Sequence, residues 1–496
     1  MTGPKVVPGP LAASGVAGLD MVLRGGLPRD RLYLIDGDPG SGKTTLALQF
    51  LMEGRDRKEQ GLYVTLSETS AELQAVASSH GWSLDGIELY ELTPGDSAAL
   101  PENQYTVFHP SEVELGETTR AIVDRVVELE PSRIVFDSLS EMRLLARDPL
   151  RYRRQILALK QLFAARGGTV LLLDDGTASD DESQLHSLAH GVISLEQATP
   201  DYGPARRRLK VIKLRGVSYA GGYHDMTIET GGIVVYPRAM PVTVHVATHE
   251  TVSSDVPAVD ALFGGGLDRG TTTLFLGPAG VGKSAMGTQY AVAAAARGEK
   301  VAVFLFDESV ETYCLRARGL GCDIDGHVAT GVVSLATIDP GSISPGAFTY
   351  FVKMAVEDGA RLIVLDSLNG YLNAMPQEHY LLLQLHELFM YLRHRGVVTL
   401  VTLAQHGMIG QMSAPIDLSY LTDTVVLLRY FETMGEIRQA ISVMKKRSGA
   451  HERTIRELRL DSQGIRVGEP LKEFHGVLTG VPVYTGESTP LLLPRE

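Results

Sequence analysis

The run Gly37-Asp38-Pro39-Gly40-Ser41-Gly42-Lys43-Thr44, with Thr45 next to it, has the spacing of a loop built to hold phosphate. Glycines in such a loop let backbone N–H groups converge on phosphate oxygens with no Cβ in the way. The lysine reaches the terminal phosphates, and the hydroxyl of Thr44 suits a Mg2+ ion. This chemistry needs a strand before the loop and a helix after it. Leu32-Tyr33-Leu34-Ile35 reads as the strand, and Leu46-Ala47-Leu48-Gln49-Phe50-Leu51 as a buried helix whose N-terminal dipole adds positive charge at the same point.

The pattern occurs twice. Gly277-Pro278-Ala279-Gly280-Val281-Gly282-Lys283-Ser284, followed by Ala285, comes after the apolar Leu274-Phe275-Leu276, and Lys283 follows Lys43 by 240 residues. The same offset relates Asp20 to Asp260, Gly25-Gly26-Leu27 to Gly265-Gly266-Leu267, and Glu68 to Glu308. Two matches in one register predict a duplicated nucleotide-binding domain. The expected domains are 1–245 and 246–496, with a connector around 238–253. The expected fold class is α/β, with two tandem phosphate-loop domains. Each is a mostly parallel twisted sheet flanked by helices, with antiparallel edge strands.

Further groups complete the chemistry. Arg133-Ile134-Val135-Phe136-Asp137 places a carboxylate at the end of a strand, and Leu362-Ile363-Val364-Leu365-Asp366 repeats it. Asp137 and Asp366, with Thr44 and Ser284, are the expected Mg2+ holders. Glu68 and Glu308 each end the strand after the phosphate-loop helix and are expected to orient or deprotonate the attacking water. Asp307 pairs with Glu308, whereas Ser67 precedes Glu68, so the two sites are expected to differ. The strand ends Lys213-Leu214-Arg215 and Lys445-Lys446-Arg447 carry cations of the kind that reach a neighbouring subunit's transferring phosphate. Gln405 reads equally as a γ-phosphate sensor or a polar loop residue. Trp82 reads as a packing residue rather than a base-stacking one.

Composition bounds the alternatives. The 496 residues are 44% apolar and 21% charged, which suits two globular domains. The net charge of −13 disfavours nucleic acid and acidic membranes as partners; the dense basic patch is Arg206-Arg207-Arg208 with Lys210, Lys213 and Arg215. Cys314 and Cys322 lack metal-ligand spacing and read as reduced thiols of a cytoplasmic protein. The first residues lack the apolar core of a signal peptide, and no apolar run approaches a membrane span. Residues 1–15 are expected to be loosely held, 93–117 to be loop, 118–130 and 149–166 helical, and the tail from about 476 extended or mobile.

With these motifs in hand, the chain resembles the KaiC family of RecA-like ATPases over roughly residues 15–475. The resemblance rests on the tandem phosphate loops, the Gly-Leu-Asp…Gly-Gly-Leu-Pro entrance, Tyr63-Val64-Thr65-Leu66-Ser67-Glu68-Thr69, Ile134-Val135-Phe136-Asp137-Ser138, Lys213-Leu214-Arg215-Gly216 and Thr422-Asp423-Thr424-Val425-Val426-Leu427-Leu428. It implies two stacked six-membered rings with ATP and Mg2+ bound between neighbours, an ATPase activity, and an autokinase in the C-terminal ring. Glu68 matches the second glutamate of the family's N-terminal catalytic pair, with Ser67 in place of the first. Asp307-Glu308 matches the C-terminal pair with one conservative change, and Lys213, Arg215, Lys445 and Arg447 match the trans-acting basic residues. Ser419 matches the serine of the family's phosphorylated pair, while Tyr420 stands where the threonine would be. The implied partners are other copies of the chain in a homohexamer and a KaiB-like or other signalling protein. Two competing readings are a nucleic-acid-linked RecA-like ATPase and a scaffold that uses ATP only as intersubunit glue.

Overall fold

The computed structural model describes residues 9–92, 110–146, 148–176, 182–200, 203–238, 250–373, 381–405, 417–433, 435–478 and 482–485. The chain divides into two units, Met1–Arg238 and Ala239–Glu496.

Each unit is built on one nine-stranded sheet. In the first, the phosphate-loop strand Leu32–Gly37 is central, paired in parallel with Thr169–Asp175 on one side and Gly191–Ala198 on the other. Arg133–Asp137, Gly61–Thr65 and Ile87–Glu91 continue the parallel side. Arg206–Leu214, Tyr223–Glu229 and Gly232–Tyr236 form the antiparallel side. The second unit repeats this order around Thr272–Gly277, with Thr424–Thr433 parallel to it and Glu436–Lys446, Arg456–Asp461 and Gly464–Pro470 on the antiparallel side. Strands covered on both faces read as unbroken apolar runs rather than alternating ones, because helices bury both surfaces. Arg133–Asp137 and Leu362–Asp366 are buried at every residue. Two apolar clusters, one per sheet face, form the core of each unit.

The recurrent Asp20 and Asp260 motif has a structural role. Asp20 Oδ1 accepts from Ser14 N at 2.9 Å, and Asp260 Oδ1 from Ser254 N at 2.8 Å. These bonds fold the entrance segment onto the sheet. Residues 11–14 are therefore anchored rather than loose: Leu11–Ala12 pairs with Leu27–Pro28, and Ala12 is fully buried.

Two other expectations change. A helix runs Pro110–Leu129, so it starts eight residues before the expected 118; proline suits its first turn because the missing N–H has no partner there anyway. Part of the expected mobile tail is ordered, with Phe474–His475 pairing antiparallel with Val483–Tyr484. The connector residues 239–249 lie outside the described residues.

Candidate functional site

Both phosphate-loop helices begin without a side-chain cap. Gly42 and Gly282 occupy their N-cap positions at φ +108° and +105°, where an L side chain is strained. The first-turn N–H groups of Lys43–Asp56 and Lys283–Ala296 thus lack side-chain acceptors and point out of the helix end, as an anion site requires. In the first unit a cleft of about 390 Å³ opens there. It is lined by Gly40, Gly42, Lys43, Thr44, Thr45 and Pro39 of the loop and by Ser67, Glu68, Val76, Asp137, Ser138, Glu141, Asp175 and Ile228.

The lysines fold back on their own loops. Lys43 Nζ donates to Gly37 O at 2.5 Å and Asp38 O at 3.1 Å, and Lys283 Nζ to Gly277 O at 3.0 Å and Pro278 O at 2.6 Å. Lys43 also forms an ion pair with Asp175 Oδ1 at 2.8 Å. The strand register puts Ala404 where Asp175 stands: Gly37 faces Asp175, and Gly277 faces Ala404. Burial lowers the Lys283 ammonium to about 8, against the opposing pull of Asp366. The remaining loop residues, Ser41 and Pro278 to Val281, shape the turn; Ser41 and Val281 are fully buried beneath it.

The strand-end aspartates lie next to the helix hydroxyls. Ser284 Oγ donates to Asp366 Oδ1 at 2.9 Å, and Thr402 Oγ1 donates to the same oxygen at 2.6 Å. Thr44 hydrogen-bonds Asp137, and Tyr63 OH donates to Asp137 Oδ2 at 2.5 Å. Burial raises the Asp137 carboxyl above its usual range, with Tyr63 and Lys43 pulling it back down. These groups fit a Mg2+ ion: hard oxygens converge beside the phosphate loop, and Asp366 Oδ2 is buried with no hydrogen-bond partner.

Glu68 sits at the turn between strand Gly61–Thr65 and helix Ser70–Ser79. Thr65 Oγ1 fixes that turn, accepting from Glu68 N at 2.9 Å and donating to Glu68 O at 2.7 Å. Thr69 then caps the helix in a reciprocal box with Glu72. Burial raises the Glu68 carboxyl, and the charges of Asp137 and Glu72 raise it further. In the second unit Glu308 is held by Arg316 Nη1, and Arg316 Nη2 lies 3.6 Å from Asp366 Oδ2. The matching position in the first unit is Val76. Asp307 accepts a hydrogen bond from Ser367. Gln405 N bonds Gly277 O at 3.0 Å, and its Oε1 is buried without a partner beside the loop.

Other expected residues lie apart from these clusters. Lys213 donates to His186 O, and Arg215 Nη2 to Ser187 O at 2.9 Å. Lys445 Nζ donates to Ser419 O at 2.7 Å and Thr422 O at 2.8 Å, and Arg447 Nη2 to Tyr420 O at 2.7 Å. Register puts all of them at the far end of the sheet from their own unit's phosphate loop. Lys213 pairs with Val192, which pairs with Leu34, whereas the loop begins at Gly37. Lys445 pairs with Val425, whose partner Leu274 lies three residues before Gly277, where the second loop begins. Ser419 accompanies them, its N bonded to Asp417 Oδ1 at 2.8 Å.

Four residues beside the phosphate loops had no role read from the sequence: Tyr63, Glu141, Asp175 and Arg316. Asp175 carried a readable signal, since a carboxylate ending an apolar strand is the argument that picked out Asp137. Trp82 packs against His80 with ring centroids 4.6 Å apart, outside the cleft, as a packing residue should.

Comparison with known proteins follows the same lines. The family described as "ATPase: KaiC" matches twice, over residues 12–240 and 252–472. The chain is 28% identical over 483 residues to "Circadian clock protein KaiC3" of Synechocystis sp., covering 96% of this chain and 95% of that protein. It is 26% identical over 487 residues to "Circadian clock oscillator protein KaiC" of Synechococcus elongatus, covering 94% and 91%. Among the described residues no helix is long and apolar enough to cross a membrane.

Proposed function

The chain belongs to the KaiC family of ATPases, and from that premise we propose that it is a slow, two-site ATP hydrolase that signals through its nucleotide and phosphorylation state. In this reading it is cytoplasmic and assembles as a homohexamer with each nucleotide closed in between neighbouring copies. The observation that carries the proposal is the pair of uncapped helix N-termini, each beside a lysine, a hydroxyl, a strand-end aspartate and a glutamate.

Lys43 and Lys283 exchange loop carbonyls for the β- and γ-phosphates. Thr44 with Asp137, and Ser284 with Asp366, would hold Mg2+, which would neutralise charge on the phosphates. Glu68 and Glu308 orient the attacking water and accept its proton as the new P–O bond forms and ADP leaves. Lys213, Arg215, Lys445 and Arg447 serve the adjoining copy's phosphates. Their distance from their own loops supports that division of labour. Ser419 lies at the same far end, so its phosphorylation also requires a neighbour's ATP. A KaiB-like protein is a candidate partner, by analogy with the clock proteins named above.

The test is phosphate release and intact-protein mass after incubation with Mg2+-ATP. Lys43→Ala and Lys283→Ala should each lose part of the turnover, and the double variant all of it. A phosphate adduct should appear on the intact chain and vanish in Ser419→Ala. Absence of phosphate release from the unmodified protein would refute the hydrolase; an adduct that survives in Ser419→Ala would refute that site. Turnover driven by single-stranded DNA or RNA would favour the nucleic-acid reading.

A further inference from the structure

The first unit lacks one member of the carboxylate pair that the second unit has. Ser67 stands where Asp307 stands, one residue before the glutamate. The sheet registers align the halves independently of that motif: Thr65 faces Asp137, and Leu305 faces Asp366. Helices Leu139–Ala146 and Leu368–Asn373 both start two residues after these aspartates. On this alignment Glu141 in the first unit corresponds to Gly370 in the second.

Gly370 touches the missing carboxylate's position. A Cβ added at Gly370 would lie 2.5 Å from Asp307 Oδ1, so the carboxylate would have to shift to admit it. Glycine at 370 leaves Asp307 the place it occupies. Where position 67 is a serine, a side chain at position 141 meets no carboxylate from that strand. Glu141 lines the same cleft as Ser67, Glu68 and Ser138. Ser138 is the counterpart of Ser367, the residue that donates to Asp307.

We propose that Glu141 supplies the first site with the second carboxylate that its strand lacks, from the helix that follows Asp137, and acts there as the positioning partner of Glu68. The inference rests on the first site hydrolysing ATP. A second carboxylate in the cleft offers the attacking water a second acceptor. In hydrolysis the proton passes from water to Glu68 as oxygen attacks the γ-phosphorus, and ADP departs with the electrons of the broken P–O bond. Glu141 takes no part in bond making; it sets where the water sits.

The experiment uses the full chain carrying Lys283→Ala, so that turnover reports the first site. Glu141→Gln should lower kcat by roughly tenfold or more, with KM for ATP nearly unchanged. The exchange Ser67→Asp with Glu141→Gly, which rebuilds the second unit's arrangement, should restore kcat to within about threefold of the parent. Ser67→Asp alone should not improve on the parent, because the two carboxylates then compete for one space. Equal kcat in Glu141→Gln and parent would overturn the inference. So would failure of the double exchange to exceed Glu141→Gln in a chain that still binds ATP. No turnover in the Lys283→Ala parent would remove the hydrolase reading itself, and the inference with it.

Discussion

Lys43 and Lys283 hold equivalent positions with different neighbours, and the difference sets a measurable prediction. Lys43 is paired with Asp175 at 2.8 Å, whereas the equivalent strand position beside Lys283 is Ala404. Phosphate must take the lysine from Asp175 before the first site can close on it. The Asp175 side chain is 40% exposed, so its attraction is screened and the pair is worth about 1 kcal/mol rather than the several of a buried pair. That free energy corresponds to roughly fivefold in binding. Asp175→Asn, in full-length protein with Lys283→Ala, should therefore bind ATP about fivefold tighter. ADP should gain less, because it brings less negative charge towards that carboxylate. The reciprocal change, Ala404→Asp in protein with Lys43→Ala, should weaken ATP binding by a similar factor. Equilibrium titration with a fluorescent ATP analogue, competed by ATP or ADP, reads both. Unchanged or weaker ATP binding in Asp175→Asn would refute the reasoning, as would tighter binding in Ala404→Asp.

Two further predictions concern the second site. Burial lowers Lys283 to about 8 in the nucleotide-free protein; bound phosphates favour the charged form, so binding takes up a proton and must weaken as pH rises. In EDTA, ADP affinity at the second site should fall towards tenfold per pH unit above 8, with proton uptake visible by calorimetry in buffers of different ionisation enthalpy; a flat response between pH 7 and 9 would count against it. Arg316 Nη2 lies 3.6 Å from the unpartnered Asp366 Oδ2 and competes with a cation there. Arg316→Gln should lower the Mg2+ concentration for half-maximal nucleotide binding about fivefold, and an unchanged midpoint would exclude that competition.

The skeleton of each site was legible because it is local. A glycine-rich loop between an apolar strand and an apolar helix is contiguous in sequence, and its geometry follows from residue type alone. The strand-end aspartates and the glutamate turn are read the same way, one element at a time. What escaped depends on packing between elements. Glu141 and Ser67 are 74 residues apart and meet only across the cleft. Arg316 lies two helical turns beyond Glu308, and its approach to Asp366 depends on how helix Val310–Gly319 sits against the sheet. The strand Tyr223–Glu229 also escaped; its buried His224 and Met226 face the core between half-exposed polar residues, a weaker signal than an unbroken apolar run.

The duplication makes these differences interpretable. Two copies with the same strand order, the same uncapped helix starts and the same strand-end aspartates have kept every feature that binds a phosphate chain. They have diverged at the groups around the water and the lysine. The first site gathers negative charge there, from Glu141 and Asp175; the second adds a guanidinium, Arg316, against its glutamate. Drift would scatter such changes without regard to one another. The changes at 67 and 141, and at 307 and 370, fall instead on neighbouring positions: a Cβ at Gly370 would lie 2.5 Å from Asp307 Oδ1. A linked exchange keeps the occupied volume while altering the wall from which a charge is presented. On the proposed function, retained phosphate grip with altered charge around the reacting atoms would separate two rates, or two acceptors, within one chain.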